Sequence, residues 1–241
     1  MDEETARYLN TINQRFYETV ADDFDATRQQ AWPGWLQLLP HIKRIPHKAP
    51  LRVLDVGCGN ARFALFLADQ LGVVLAYHGV DSNDALLATA RSMLGAAGID
   101  ARLQQQDVIF EPLPPGQYDL VVAFGLLHHV PGMARRRKFV RSLAAHVAEG
   151  GLLGFTCWRF YEFDRFRSRI VPWDDTLADR VERHDYLLDW RRGERALRYC
   201  HYVDRHEQAE LVEASGLSLT TAYDADGFSG DLNSYIVVGK A

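Results

Sequence analysis

Downstream of residue 50 the chain alternates short apolar runs with longer segments of helical spacing. Leu51–Val56 predicts a buried strand, and Phe63, Phe66, Leu67 and Leu71 recur on one face of a helix over Arg62–Leu71. Val73–Val80 predicts a second strand, ending at Asp81. A helix follows, capped by Ser82 or Asn83, running through Met93 and closed by Gly95 and Gly98. Arg102–Gln106 and Tyr118–Phe124 predict two further strands and Ala134–Val147 a helix. Gly150-Gly151 then turns into a fifth strand, Leu152–Cys157. Strands alternating with helices of this length imply right-handed βαβ units and a parallel sheet.

Outside that stretch the pattern changes. The first 50 residues predict helices punctuated by Pro33, Pro40, Pro46 and Pro50. Residues 159–198 are rich in Arg, Asp, Trp and Tyr without clear periodicity, and read as a partly helical insertion beside the sheet. Asp204 and Glu207 have the spacing of a capping box ahead of a helix through Ala214, stopped by Gly216. Leu217–Ala222 and Ser234–Val238 predict a closing hairpin. Four segments result: 1–50 as a helical lid, 51–158 as the core, 159–203 as an insertion contributing to a substrate site, and 204–241 completing the sheet.

Composition narrows the class. The 241 residues are 47% hydrophobic, ordinary for a folded domain with a sizeable core. No apolar run approaches the roughly 18 residues of a membrane span, and the acidic, polar start MDEETARYLN is unlike a signal peptide. Cys58, Cys157 and Cys200 are odd in number and lack metal spacing, which points to a reducing cytoplasm and to no metal site. The net charge of −5 means that a polynucleotide partner needs a local basic patch.

Chemistry concentrates at the predicted carboxyl ends of the strands, where open parallel sheets bind ligands. Asp55, Gly57, Gly59, Asp81, Asp107 and the segment Phe124–His129 all fall there, with Ser82, Val108 and Leu126 beside them. A dinucleotide needs a third glycine for close helix–strand packing, and Arg62 stands at that position. S-adenosylmethionine fits better. The glycines admit its amino acid end, Asp55 suits the ammonium, Asp81 the ribose hydroxyls, and Asp107 the adenine amino group, with Val108 as an apolar contact. A nicotinamide-dependent oxidoreductase and a non-catalytic cofactor-binding scaffold are the competing readings.

Val53–Ala61, His78–Ser82, Gln106–Val108, Tyr118–His129 and Glu149–Gly154 together resemble the class I S-adenosylmethionine-dependent methyltransferases. That resemblance implies a Rossmann-like, mostly parallel seven-stranded sheet with a terminal antiparallel hairpin and helices on both faces. Ala61 replaces the family's usual third glycine. Tyr17, Phe24, Thr27-Arg28, Trp32-Pro33, the Leu126–Val130 segment, the arginine run Arg135–Arg137 and Arg198–Val212 are similar to the methyltransferases that esterify carboxymethyl-uridine at the tRNA wobble position. This narrower resemblance implies a lid over residues 10–35, with Tyr17, Arg28 and Trp32 near cofactor or substrate. It also implies tRNA as acceptor. A small metabolite is the alternative, and an activating protein partner is a further possibility.

The acceptor's chemistry decides which side chains matter. A carboxylate is already ionised at neutral pH and needs a clamp, for which Arg28, Arg159 and Arg198 are candidates. A hydroxyl needs a base, for which His129 is preferred over His128. Arg135, Arg136, Arg137 and Lys138 open a helix, where cations oppose the helix dipole. They read either as phosphate contacts or as a solvated face. Trp158, Phe160, Tyr161 and Trp173 can stack a base, wall a pocket or fill the insertion's core.

Overall fold

Strand β1 (Leu51–Val56) sits at the centre of a seven-stranded sheet because four of its six residues are apolar and both faces are covered. The computed structural model describes residues 1–26, 30–46, 48–191 and 194–240, with side chains outside 21–26. Around β1 lie β2 (Leu75–Asp81), β3 (Asp100–Gln105), β4 (Tyr118–Ala123) and β5 (Val147–Trp158). Two C-terminal strands, β9 (Ser218–Ala225) and β10 (Asn233–Gly239), complete the order β3-β2-β1-β4-β5-β10-β9. The first five are parallel, and β10 runs antiparallel to both β5 and β9. This is the expected Rossmann-like methyltransferase fold.

Helices cover both faces. On one side α2 (Gly34–Ile42), α3 (Arg62–Leu71) and α4 (Asp84–Ala96) bury Trp35, Phe63, Leu67 and Leu87 against β1 and β2. On the other, α5 (Met133–Ala145) and α7 (Arg205–Ser215) bury Phe139, Val140, Leu143 and Leu211 against β4, β5 and β10. Each fully buried Leu or Val contributes about 1.5–3 kcal/mol. Asn83, not Ser82, caps α4, its side chain accepting from Leu86 N at 3.0 Å. Asp204 caps α7 through Glu207 N, and Gly216 ends that helix in the left-handed region. The Glu207 side chain does not return to Asp204 as a capping box requires; it is spent on a buried ion pair described below.

Two elements differ from the pattern reading. Gly150-Gly151 lies inside β5 rather than ahead of it. Val147 already pairs with Tyr118, and the register shifts before Leu120, with Gly150 at φ +71°. Residues 159–198 are partly helical as expected, at 160–162 and 164–167, but they also carry strands that the pattern did not predict. After the short α6 (Asp164–Arg167), a second sheet forms from β6 (Ile170–Val171), β7 (Asp185–Trp190) and β8 (Ala196–His201). Its alternation was hidden because Asp185, Asp189, Arg198 and His201 occupy buried positions that usually hold apolar side chains. The N-terminal helix α1 (Glu3–Ala26) lies against β8 and α4. Among the described residues no helix is long and apolar enough to cross a membrane.

Candidate active site

One cleft opens at the carboxyl ends of β1, β2, β3 and β4, roofed by α1. Asp55, Gly57, Gly59, Asp81, Ser82, Asp107, Val108, Phe124 and Leu126 line it, as do Tyr17, Trp32 and His129 from the wider prediction. Arg28 lies outside the described residues. Missing from the prediction were Asn10, Asn13, Gln14 and Arg62. The first three, with Tyr17, recur at helical spacing on α1, a polar stripe that a search for apolar stripes passes over.

The loop after β1 turns through two glycines, Gly57 at φ +78° and Gly59 at φ +55°. A Cβ on Gly59 would meet nothing within 4 Å, so its backbone faces open space. Ala61 also adopts the left-handed region, at φ +59°, where a Cβ is unfavourable. The loop is held by Gly57 N and Cys58 N donating to Val80 O, and by Gly59 N donating to Asp81 Oδ2 at 2.8 Å. Asp81 Oδ1 accepts from Asn83 N at 2.9 Å. Burial raises the Asp81 pKa, and these backbone N–H groups oppose that rise.

Asp55 is 3% exposed. Burial pushes its pKa up to about 7, although the Tyr77 hydroxyl donates to its Oδ2 at 2.6 Å. An acid so placed is relieved by an incoming cation. Arg62 packs over the rings of Trp32 and Trp35, at 5.2 and 5.4 Å, and donates to Gln30 O. The donor set thus matches S-adenosylmethionine part by part. It offers open glycine backbone, an acid suited to an ammonium, an acid suited to a diol, and an acid suited to an amine.

His129 is fixed on every side. Its Nε2 is 2.9 Å from the Tyr17 hydroxyl, and its Nδ1 is 3.0 Å from Tyr199 O and 3.1 Å from Asn13 Nδ2. One acceptor and one donor compete for the same ring nitrogen. The imidazole can therefore carry its proton on either nitrogen with a partner satisfied, and Tyr17 donates or accepts accordingly. His128 packs between His129 and Trp158, its ring tilted against both, with centroids 4.1 and 5.2 Å away. The fold also brings Cys200 to these two histidines, which spacing did not reveal. Burial pushes the Cys200 thiol up to about 12, so it keeps its proton.

The arginines divide by partner. Arg136 is wholly buried and paired with Glu207 and Glu182, while Glu182 also accepts from Met133 N at the start of α5. Arg135 pairs with Glu3 and Arg137 with Glu210. Carboxylates thus offset the unfavourable helix dipole, and only Lys138 of the run is left as an exposed cation without a described ion pair. Arg159 is held by Glu162, Asp224 and the Asp231 carbonyl. Arg198 differs from all of these. It is 8% exposed and lies 4.4 Å from the Trp158 ring centre and 5.4 Å from that of Phe16, with no carboxylate partner among the described residues. Trp173 donates to Asp185 O within the small sheet, outside the residues that line the cleft. Phe160 is fully buried and Tyr161 stacks on Tyr186, so both belong to the insertion's own core.

Residues 24–222 match the family described as a methyltransferase domain. The Arabidopsis thaliana chloroplastic tocopherol O-methyltransferase is 26% identical over 58% of this chain and 39% of its own. The Saccharomyces cerevisiae tRNA (carboxymethyluridine(34)-5-O)-methyltransferase is 25% identical over 66% of this chain and 55% of its own. The chain therefore spans about half or less of the length of these curated relatives. The fold is similar to that of an S-adenosylmethionine-dependent methyltransferase from Clostridium acetobutylicum ATCC 824. The TM-score is 0.66 at 14% identity, over 93% of this chain and 99% of that one. With a family match over most of its length and a seven-stranded sheet of the methyltransferase type, this chain belongs to the methyltransferase domain family.

Proposed function

We propose that the protein methylates a carboxylate oxygen, and that its acceptor is the carboxymethyl group of a modified wobble uridine in tRNA. Arg198 carries this reading. A guanidinium removed from water without an anion is unfavourable, and a carboxylate entering beside it restores two charge-assisted hydrogen bonds. Two rings in series, Trp158 and then His128, stand between Arg198 and the Tyr17–His129 wall of the cleft. The resemblance to the wobble-uridine enzymes supplies an acceptor of matching chemistry.

In this reading Asp55 receives the cofactor's ammonium, Asp81 the ribose hydroxyls and Asp107 the adenine amino group. The bound cofactor supplies an electrophilic methyl group on a sulfonium. Arg198 draws the acceptor carboxylate towards the His129 side of the cleft from behind Trp158 and His128, and Trp32, which lines the cleft, excludes water. Alignment of this kind is worth several kcal/mol. The carboxylate oxygen forms the new bond, the pair of the broken C–S bond stays on sulfur, and no proton moves. His129 is then a positioning group that sets Tyr17.

A second reading, a small anionic metabolite as acceptor, is favoured by one observation: Arg135, Arg136 and Arg137 are all neutralised by carboxylates, which removes them as a phosphate-binding stripe. The test is transfer of labelled methyl to an anticodon stem-loop with and without 5-carboxymethyl-uridine. Label should enter the modified RNA alone and be lost on mild alkaline ester hydrolysis. Arg198→Met should lower the rate about tenfold to a hundredfold and leave S-adenosylhomocysteine affinity unchanged. No transfer to RNA, with transfer to small carboxylic acids, moves the acceptor to the second class.

A further inference from the structure

Asp107, at the end of β3, does not stand alone. Its Oδ2 accepts from two amides of α1, Asn10 Nδ2 at 2.6 Å and Gln14 Nε2 at 3.1 Å. Its Oδ1 accepts from Ile109 N at 3.1 Å. Both amides donate to the same carboxylate oxygen, so their NH₂ groups face Asp107 and their carbonyl oxygens face away. Asn10 is 94% buried and lines the cleft, and its carbonyl oxygen has no hydrogen-bond partner among the described residues. Gln14 lines the cleft in the same way, its carbonyl likewise without a described partner.

We propose that Asn10 and Gln14 are specificity-determining residues that complete an adenine-amino site with Asp107. This rests on the cofactor's adenine lying at the end of β3. The site then presents acceptors on both sides of the exocyclic amine: the remaining lone pairs of Asp107 and the amide carbonyls of α1. An amine with two N–H groups satisfies both. A carbonyl at the same place donates to neither, faces the Asp107 carboxylate, and can accept at most the second N–H of each amide, so it loses the two hydrogen bonds that an amine makes. Two of the three side chains come from α1, so the site is whole only when that helix is docked. Cofactor binding and docking of α1 are thus linked, each favouring the other.

The experiment is titration calorimetry of the full chain with S-adenosylhomocysteine and with S-inosylhomocysteine, whose 6-amino group is a carbonyl. Wild type should prefer the amine by about a hundredfold. Asn10→Ala and Gln14→Ala should each lower that ratio about tenfold. Hydrogen exchange over residues 3–20 should slow when S-adenosylhomocysteine binds wild type, and slow less in the variants. Gln14 is only half-buried, so Gln14→Ala keeps the test valid if Asn10→Ala fails to fold. Unchanged ratios in a folded variant overturn the proposal and leave Asp107 as the sole reader. If wild type binds neither compound, the cofactor placement itself has failed; if it binds both equally, the cofactor reading stands and this inference falls.

Discussion

Replacing Asp55 by Asn tests the electrostatics of the cleft directly. Asp55 is buried, and its pKa stands at about 7 against 3.8 for an ordinary aspartate. Between those values the unfolded chain has released its proton while the folded chain still holds it. Raising the pH therefore favours unfolding. At 1.36 kcal/mol per decade the full loss is about 4 kcal/mol, of which about 3 kcal/mol falls between pH 5 and 8. It is complete above the folded value and absent below the unfolded one. Asn keeps the shape and still accepts the Tyr77 hydroxyl, but has no proton to lose. Urea midpoints measured from pH 5 to 8.5 should fall with pH in wild type more steeply than in Asp55→Asn. His201 adds a slope of the same sign in both proteins. Burial alone lowers its pKa, but the hydrogen bonds that His201 donates to Asp185 and Glu207 outweigh that and raise it, and their contribution is lost as pH passes the raised value. The difference between the two curves isolates Asp55. An ammonium placed beside the carboxylate pulls its pKa down. Binding of S-adenosylhomocysteine near pH 6 should then release close to one proton in wild type and none through this group in the variant. Calorimetry in buffers of unlike ionisation enthalpy reads that proton. Parallel stability curves for the two proteins refute the reasoning.

Two further outcomes follow from packing and backbone geometry. Glu207→Ala leaves Arg136 buried with one carboxylate instead of two and strips His201 of a partner. A loss of about 3–5 kcal/mol is expected in chemical denaturation, with the small sheet loosening from α5 and α7. Ala61→Gly removes a Cβ from a left-handed residue and should raise stability by up to about 1 kcal/mol, measured as a higher denaturation midpoint with cofactor affinity retained.

The βαβ order, the parallel sheet and the cleft at its carboxyl ends were all legible in the chain, because apolar periodicity and glycine placement are local signals. Asp55, Asp81 and Asp107 could be placed at that cleft for the same reason: each immediately follows or ends a recognisable strand. The small sheet was not legible, since its inward positions carry Asp185, Asp189, Arg198 and His201, and charge at those positions erases the alternation that marks a strand. Nor could sequence sort the arginines. Arg136 finds Glu207 71 residues away and Arg159 finds Asp224 65 residues away, whereas among the described residues Arg198 meets rings and no carboxylate. The polar stripe of α1 acquires its meaning only from Asp107, 97 residues beyond Asn10. Local pattern thus determines the strands and helices of the seven-stranded sheet and where a ligand cleft opens. Which charges are neutralised inside the protein is decided by tertiary structure, because ion pairing and desolvation depend on distances in space that no spacing along the chain records.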